Sequence, residues 1–122
     1  MTACTIRVEQ TEEDVHVLRI TGGLGLATAP ALKRELLAAA ANGGSFAVVD
    51  LARATLLDST PLGVLLAASK LLGRAGVALT VVVDDPLLRF VRRSGLDELL
   101  HVVPADAVDG SGRRSPAVAD VA

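Results

Sequence analysis

The stretch FAVVDLARATLLDSTPLGVLLAASKLLGRAGVALTVVVDDP, residues 46–86, decides the fold. It opens with a continuous apolar run over residues 46–51, the pattern of a strand covered on both faces. Asp58-Ser59-Thr60-Pro61 then reads as a helix start, since small polar side chains cap free N–H groups and proline suits a first helical turn. The helix is expected to run to about Arg74, with Leu62, Leu65, Leu66, Ser69 and Leu72 at helical spacing on its buried side. Gly63 in its first turn predicts close approach of a neighbouring backbone. Ala75-Gly76 stops the helix, residues 77–83 form a second buried strand, and Asp85 is expected to cap a short helix with Pro86 at its first position. A strand, a helix and a second buried strand make a β-α-β unit, whose crossover should be right-handed.

Working outward, residues 6–10 and 15–21 are two β-type runs separated by the polar turn Thr11-Glu12-Glu13-Asp14. In the second run His16, Leu18 and Ile20 share one face, and Val15, Val17 and Arg19 the other. Residues 22–26 (GGLGL) read as a loop. Thr28 is the expected N-cap of a helix over residues 29–41, with Pro30 early in it and Leu32, Leu36 and Leu37 as its apolar stripe. Asn42-Gly43-Gly44 should end that helix through a left-handed C-cap. Beyond the third helix, Ser94-Gly95 is the stop and residues 99–103 form a last strand. The order is β-β-α-β-α-β-α-β: an α/β fold with one mixed β-sheet packed by helices. Residues 1–103 form the domain, and residues 104–122 a flexible or short-helical tail.

Composition narrows the function classes. The 122 residues fit one domain, and 51% hydrophobic with 21% charged residues supply a core. A net charge of −2 is no footprint for phosphate backbones or anionic membranes. Phe46 and Phe90 are the sole aromatics, too few for stacking along single-stranded nucleic acid. No apolar run approaches the ~20 residues of a membrane span, and no signal peptide opens the chain. Cys4 stands alone, which excludes an internal disulfide. The expectation is a soluble, cytoplasmic domain that binds no nucleic acid and does not insert into a membrane.

Few residues offer chemistry. His16 and His101 fall in separate strands without a cysteine or a paired histidine, so they suggest ordinary strand residues and no metal site. The acidic groups Glu12-Glu13-Asp14, Asp84-Asp85 and Asp97-Glu98 sit at turns and helix starts, without a convergent partner. Gly23-x-Gly25 between strand and helix, with Asp50 after the next strand, imitates a dinucleotide fingerprint. Thr28 stands where the third glycine belongs, and no phosphate loop is present. Ser59 lacks the glycines of a nucleophile elbow. Arg113-Arg114-Ser115 in the tail reads as a solvated run. What remains is Asp58-Ser59-Thr60-Pro61-Leu62-Gly63. A hydroxyl at a helix N-terminus is exposed, and a phosphoryl group there should face free N–H groups and the positive dipole end.

The sequence resembles the bacterial STAS-domain anti-sigma factor antagonists (anti-anti-sigma factors) over residues 6–103. Residues 22–30 (GGLGLATAP) are similar to the family's Gly-Glu-Leu-Asp-x-x-Thr-Ala-Pro segment. Val48-Val49-Asp50-Leu51 through Asp58-Ser59-Thr60-Pro61-Leu62-Gly63 resembles its strand and Asp-Ser-Ser/Thr-Gly-Leu-Gly helix start, and Ser94-Gly95-Leu96 its Ser-Gly-Leu. The resemblance implies a STAS fold and a partner that is both anti-sigma factor and serine kinase. It implies phosphorylation of Ser59, with Thr60 second, and a phosphatase that reverses it. It places Asp58, Ser59, Thr60, Gly25 and Thr28 on the partner surface, and implies a substrate that is no enzyme and needs no cofactor or metal. Two departures stand out: Gly23 and Gly25 replace the family's Glu and Asp, and Pro61 replaces a glycine. They open the alternative of a STAS scaffold that no longer switches, or a subunit of another assembly such as a lipid transporter.

Overall fold

The structure, a computed structural model, describes residues 4–11, 14–42 and 44–107. The elements are β1 (Thr5–Gln10), β2 (Val15–Leu24), α1 (Ala29–Ala41), β3 (Phe46–Leu56), α2 (Thr60–Arg74), β4 (Ala78–Val83), α3 (Asp85–Ser94) and β5 (His101–Pro104). Short 3-10 turns cover Leu96–Glu98 and Ala105–Ala107. The order is the expected β-β-α-β-α-β-α-β. The five strands lie side by side in chain order; β1 runs antiparallel to β2 and the other neighbours are parallel.

That order decides where the core lies. Each right-handed crossover advances the sheet in the same direction, so α1, α2 and α3 all land on one face. There Leu18, Ile20 and Leu24 of β2, Ala47, Val49 and Leu51 of β3, and Leu79, Val81 and Val83 of β4 meet Leu32, Leu36, Leu62, Leu65, Leu72 and Leu88 from the helices. Burying each such leucine contributes about 1.5–3 kcal/mol. The opposite face buries Val15, Val17, Val48 and Val82, with Phe46, Val103 and Ala105 packed against them. Both faces of β3 are therefore covered, and the two sides of β2 divide as its alternation predicts. Beside the valines, Arg19 pairs with Glu9 at 3.5 Å and with Asp50 at 3.2 Å.

Several expectations need correction. β2 does not end at Thr21 but continues through Gly22 and Gly23 to Leu24, because β3 also extends, to Leu56, and the two pair along that whole length. A register shift between Arg19 and Thr21 and a positive φ of 97° at Gly22 accommodate the bend. Leu37 leaves the buried stripe and is exposed. Asn42 has φ −85°, outside the left-handed region, and its N–H closes on Ala38 O at 3.0 Å. Gly63 faces open space instead of a neighbouring backbone. The cap of α3 is Asp84, whose Oδ1 accepts from Leu87 N at 3.0 Å, and Asp85 is the first helical residue. The last strand begins at His101, since Leu99 and Leu100 belong to the turn before it. The Arg113-Arg114-Ser115 run, the centre of the 11–14 turn and all but the first residues of the 104–122 tail lie outside the described residues.

Candidate functional site

The extra length of β2 and β3 builds the site. β4 pairs with β3 only as far as Asp50, while β2 follows β3 on to Leu56. Leu57 N still donates to Leu24 O at 2.9 Å. The chain segments that follow, residues 25–28 and residues 57–59, are thereby held side by side at the start of α1 and α2.

Asp58 ties them together. Its Oδ1 accepts from Thr60 N at 2.8 Å, and its Oδ2 accepts from Leu26 N at 3.0 Å across 32 residues of sequence. The first bond is an Asx turn that starts α2; the second joins the two loops. The Thr60 hydroxyl, then the amides of Thr60 and Leu26, hold the Asp58 carboxyl below its ordinary value of 3.8, against a smaller opposing effect of desolvation. Gly25 makes this approach possible. A Cβ at Gly25 would lie 2.9 Å from Asp58 Oδ2 and 3.1 Å from Leu57 Cβ. A Cβ at Gly23 would meet only the end of the Leu57 side chain, at 3.0 Å.

Both expected hydroxyl caps behave differently from the sequence reading. Thr28 stands at the N-cap of α1, but its Oγ1 accepts from Gly25 N at 2.9 Å and donates to Gly25 O at 3.2 Å, closing the loop instead of the helix. Ser59 stands at the N-cap of α2 and its side chain makes no capping bond. Ser59 is exposed beside the exposed Asp58, while Thr60 is half-buried. The expected free amides are also absent. Thr60 N donates to Asp58, Pro61 has no N–H, and Leu62 N and Gly63 N donate to Ser59 O at 3.1 and 3.3 Å. The reason is local: Asp58, one residue before Ser59, takes the Thr60 donor, Pro61, two residues after it, has none, and the Ser59 carbonyl accepts from the next two amides.

The structure thus brings Gly25, Thr28, Asp58, Ser59 and Thr60 together, with Gly25 buried beneath the others. The sequence reading passed over Leu26 and Leu57, which are 71% and 62% exposed and flank the Asp58 clamp. Their signal was a leucine on each side of the junction that fits no helical or strand stripe. The other candidates stay apart. His16 and Ser59 lie at opposite ends of the β2–β3 pair, about 30 Å apart at the ~3.3 Å rise of a strand. Asp50, the acid of the imitation dinucleotide fingerprint, is engaged by Arg19 and by Ala52 N at 3.0 Å. Gly23 is paired in the sheet with Thr55. Among the described residues, no three His, Cys, Asp or Glu side chains converge on a metal position, and no helix is long and apolar enough to cross a membrane.

A family model described as "Mlab, STAS domain" matches residues 6–103. The chain belongs to the STAS-domain family. The STAS domain here is similar to the crystal structure of an anti-sigma factor antagonist from Mycobacterium paratuberculosis. That likeness has 30% identity and a TM-score of 0.72, and covers 82% of this chain and 85% of the other. It also shares its fold with the Bacillus cell fate determinant SpoIIAA. The phosphorylated form aligns at 18% identity and TM-score 0.64, covering 81% of this chain and 91% of that one. The unphosphorylated form aligns at 17% and 0.65, covering 81% and 87%. Among curated proteins no match is found.

Proposed function

We propose that this STAS domain is an anti-sigma factor antagonist, acting in the cytoplasm as a binding module and not as an enzyme. It docks an anti-sigma factor with serine kinase activity through the surface around Ser59. Phosphorylation of Ser59 releases the complex, and a protein phosphatase restores it. The observation that carries the reading is the exposed Ser59 beside a clamped Asp58, at the start of α2, in a chain 30% identical to an anti-sigma factor antagonist.

The physical logic follows from the clamp. A phosphoryl group adds about −1.5 to −2 charges at neutral pH. At Ser59 it would stand beside a carboxylate that its hydrogen bonds favour in the ionised form. Such a group changes the charge and bulk of the docking surface while the fold beneath it stays as it is. The exposed Leu26 and Leu57 supply apolar contact area on either side. Incubation with a cognate kinase and ATP should add one phosphate, located by mass spectrometry at Ser59. Ser59→Ala should bind constitutively, and Ser59→Asp weakly. An unmodified Ser59, with all three forms binding the kinase equally, would sink the switch.

Pro61, the glycines at 23 and 25, and a family model described by Mlab favour a second reading. In it the domain is a non-switching subunit of another assembly, such as a lipid transporter. Co-purification from the source cell separates the two: a kinase-type anti-sigma factor supports the first, and transporter subunits the second.

A further inference from the structure

The outer surfaces of α1 and α2 flank an open groove of about 420 Å³ that meets the docking surface only at Thr60. Leu37 of α1 faces Val64 and Leu71 of α2 across it, and Gly63 and Ala67 line it with little bulk. Leu37 and Leu71 are both exposed, although neither is needed by the core. Lys33 and Thr60 are the polar residues of the lining. They lie toward the N-terminal ends of their helices, and Leu71 lies toward the C-terminal end of α2. Lys33 carries the one charge of the groove, and among the described residues it makes no ion pair.

We infer that this groove binds a long-chain carboxylate, with the alkyl chain along Gly63, Ala67 and Leu71 and the carboxylate at Lys33. Volume and shape carry the choice of occupant. The volume falls within the ~300–1,000 Å³ of small-molecule sites. Thr60 and Leu71 are eleven residues apart, about 16 Å along the helix, the reach of an extended alkyl chain. A single extended alkyl chain is narrow enough to lie along the cleft between two helices in contact. An uncharged lining with one cation at one end is complementary to an apolar tail with one anionic head. Asp58, the carboxylate nearest Thr60 in sequence, has its two oxygens engaged by Leu26 N and Thr60 N and so does not compete for Lys33.

The test is calorimetric titration of the full chain with dodecanoate, below its micelle concentration, beside dodecanol and dodecyltrimethylammonium. Dodecanoate should bind saturably, one per chain, and shift the backbone amide resonances of Ala67 and Leu71. Gly63→Leu fills the groove from a position with open space around it, so it should fold normally and weaken dodecanoate by more than about tenfold. Lys33→Glu should weaken dodecanoate by about fivefold and leave dodecanol within about twofold, as expected for a solvent-exposed ion pair. The inference is overturned if wild type shows no saturable binding, if Gly63→Leu binds as wild type does, or if the ammonium amphiphile binds as tightly as dodecanoate. Dimerisation through this face that Gly63→Leu abolishes, without dodecanoate binding, would assign the groove to a second copy of the chain instead.

Discussion

Gly25→Ala should destabilise the domain, whereas Gly23→Ala, two residues away near the end of β2, should not. Neither glycine has a positive φ, so alanine fits both backbones, and each substitution gains about 0.4–1 kcal/mol from a less flexible unfolded chain. Space separates them. The new methyl group at 25 would sit 2.9 Å from Asp58 Oδ2 and 3.1 Å from Leu57 Cβ. The first atom is held by Leu26 N, and the second is fixed to the backbone, so neither yields freely. Overpacking of this kind costs about 1–3 kcal/mol, leaving a net loss on the order of 1–2. The methyl group at 23 meets only the Leu57 side chain, at Cδ1 (3.0 Å) and at Cδ2 and Cγ (both 3.4 Å), on a residue 62% exposed whose side chain can swing into solvent. Its net effect should stay within about ±0.5 kcal/mol. Thermal or urea unfolding reads both, with roughly 4 °C of Tm per kcal/mol for a chain of this size. A double-mutant cycle sharpens the test: in an Asp58→Ala background Gly25→Ala should lose a clear part of its effect, because one of the two obstacles is gone. Equal effects at 23 and 25, or an additive cycle, would refute the clamp as the reason for glycine at 25.

Ser59→Ala should stay folded and shift stability by less than about 0.5 kcal/mol, well under the usual value for a lost cap, because the Ser59 hydroxyl caps nothing here; circular dichroism with thermal melting decides it. Asp58 has a folded-state pKa below its unfolded value, so its contribution is fully present above pH 3.8 and is lost as pH falls through the lowered value. Amide resonances of Leu26 and Thr60 should therefore move only below that pH, and Asp58→Asn should remove the titration; movement near neutrality would contradict it. Thr80 is fully buried, and its hydroxyl has no hydrogen-bond partner among the described residues. Thr80→Val keeps the shape and should raise stability by about 1 kcal/mol in denaturant unfolding.

The element order and the burial of β3 and β4 were legible because continuous apolar runs and helical leucine spacing are local signals. The length of β2 was not. Gly22 and Gly23 look like loop residues by composition, and residues 52–56 lack the apolar run that marks β3; only their pairing with each other makes both strands. The same limit governed the caps. Thr28 and Ser59 were correctly placed at helix starts, yet which atom each hydroxyl meets depends on Gly25 and on Asp58 32 residues from its partner amide. Leu37 failed differently. It lies next to Leu36 in a run where either residue could face inward; Leu36 joins the buried core and Leu37 is left exposed.

Gly25 and Pro61 look, in the sequence, like losses from a switch; the geometry relates both to Asp58. Without a side chain at 25, the Asp58 carboxylate reaches Leu26 N and joins the two loops. With Pro61 at the first turn and Asp58 on Thr60 N, the helix start has one donor absent and one engaged, and Leu62 and Gly63 close onto Ser59 O. A phosphate on Ser59 would find no free amide among those four and an ionised carboxylate next to it. It would be turned toward solvent, where a partner must meet it. A helix start with free N–H groups would instead draw the phosphate in and mask part of its charge. The departures at 25 and 61 leave Ser59 exposed, and under the proposed switch they would make a phosphorylated Ser59 more disruptive at a docked surface. Restoring the donor tests this step: Pro61→Gly should let phosphorylated Ser59 settle against the helix, so that phosphorylation weakens partner binding by a smaller factor than in wild type. Unchanged or larger loss of binding in Pro61→Gly would show that the donors at the helix start do not set the strength of the switch.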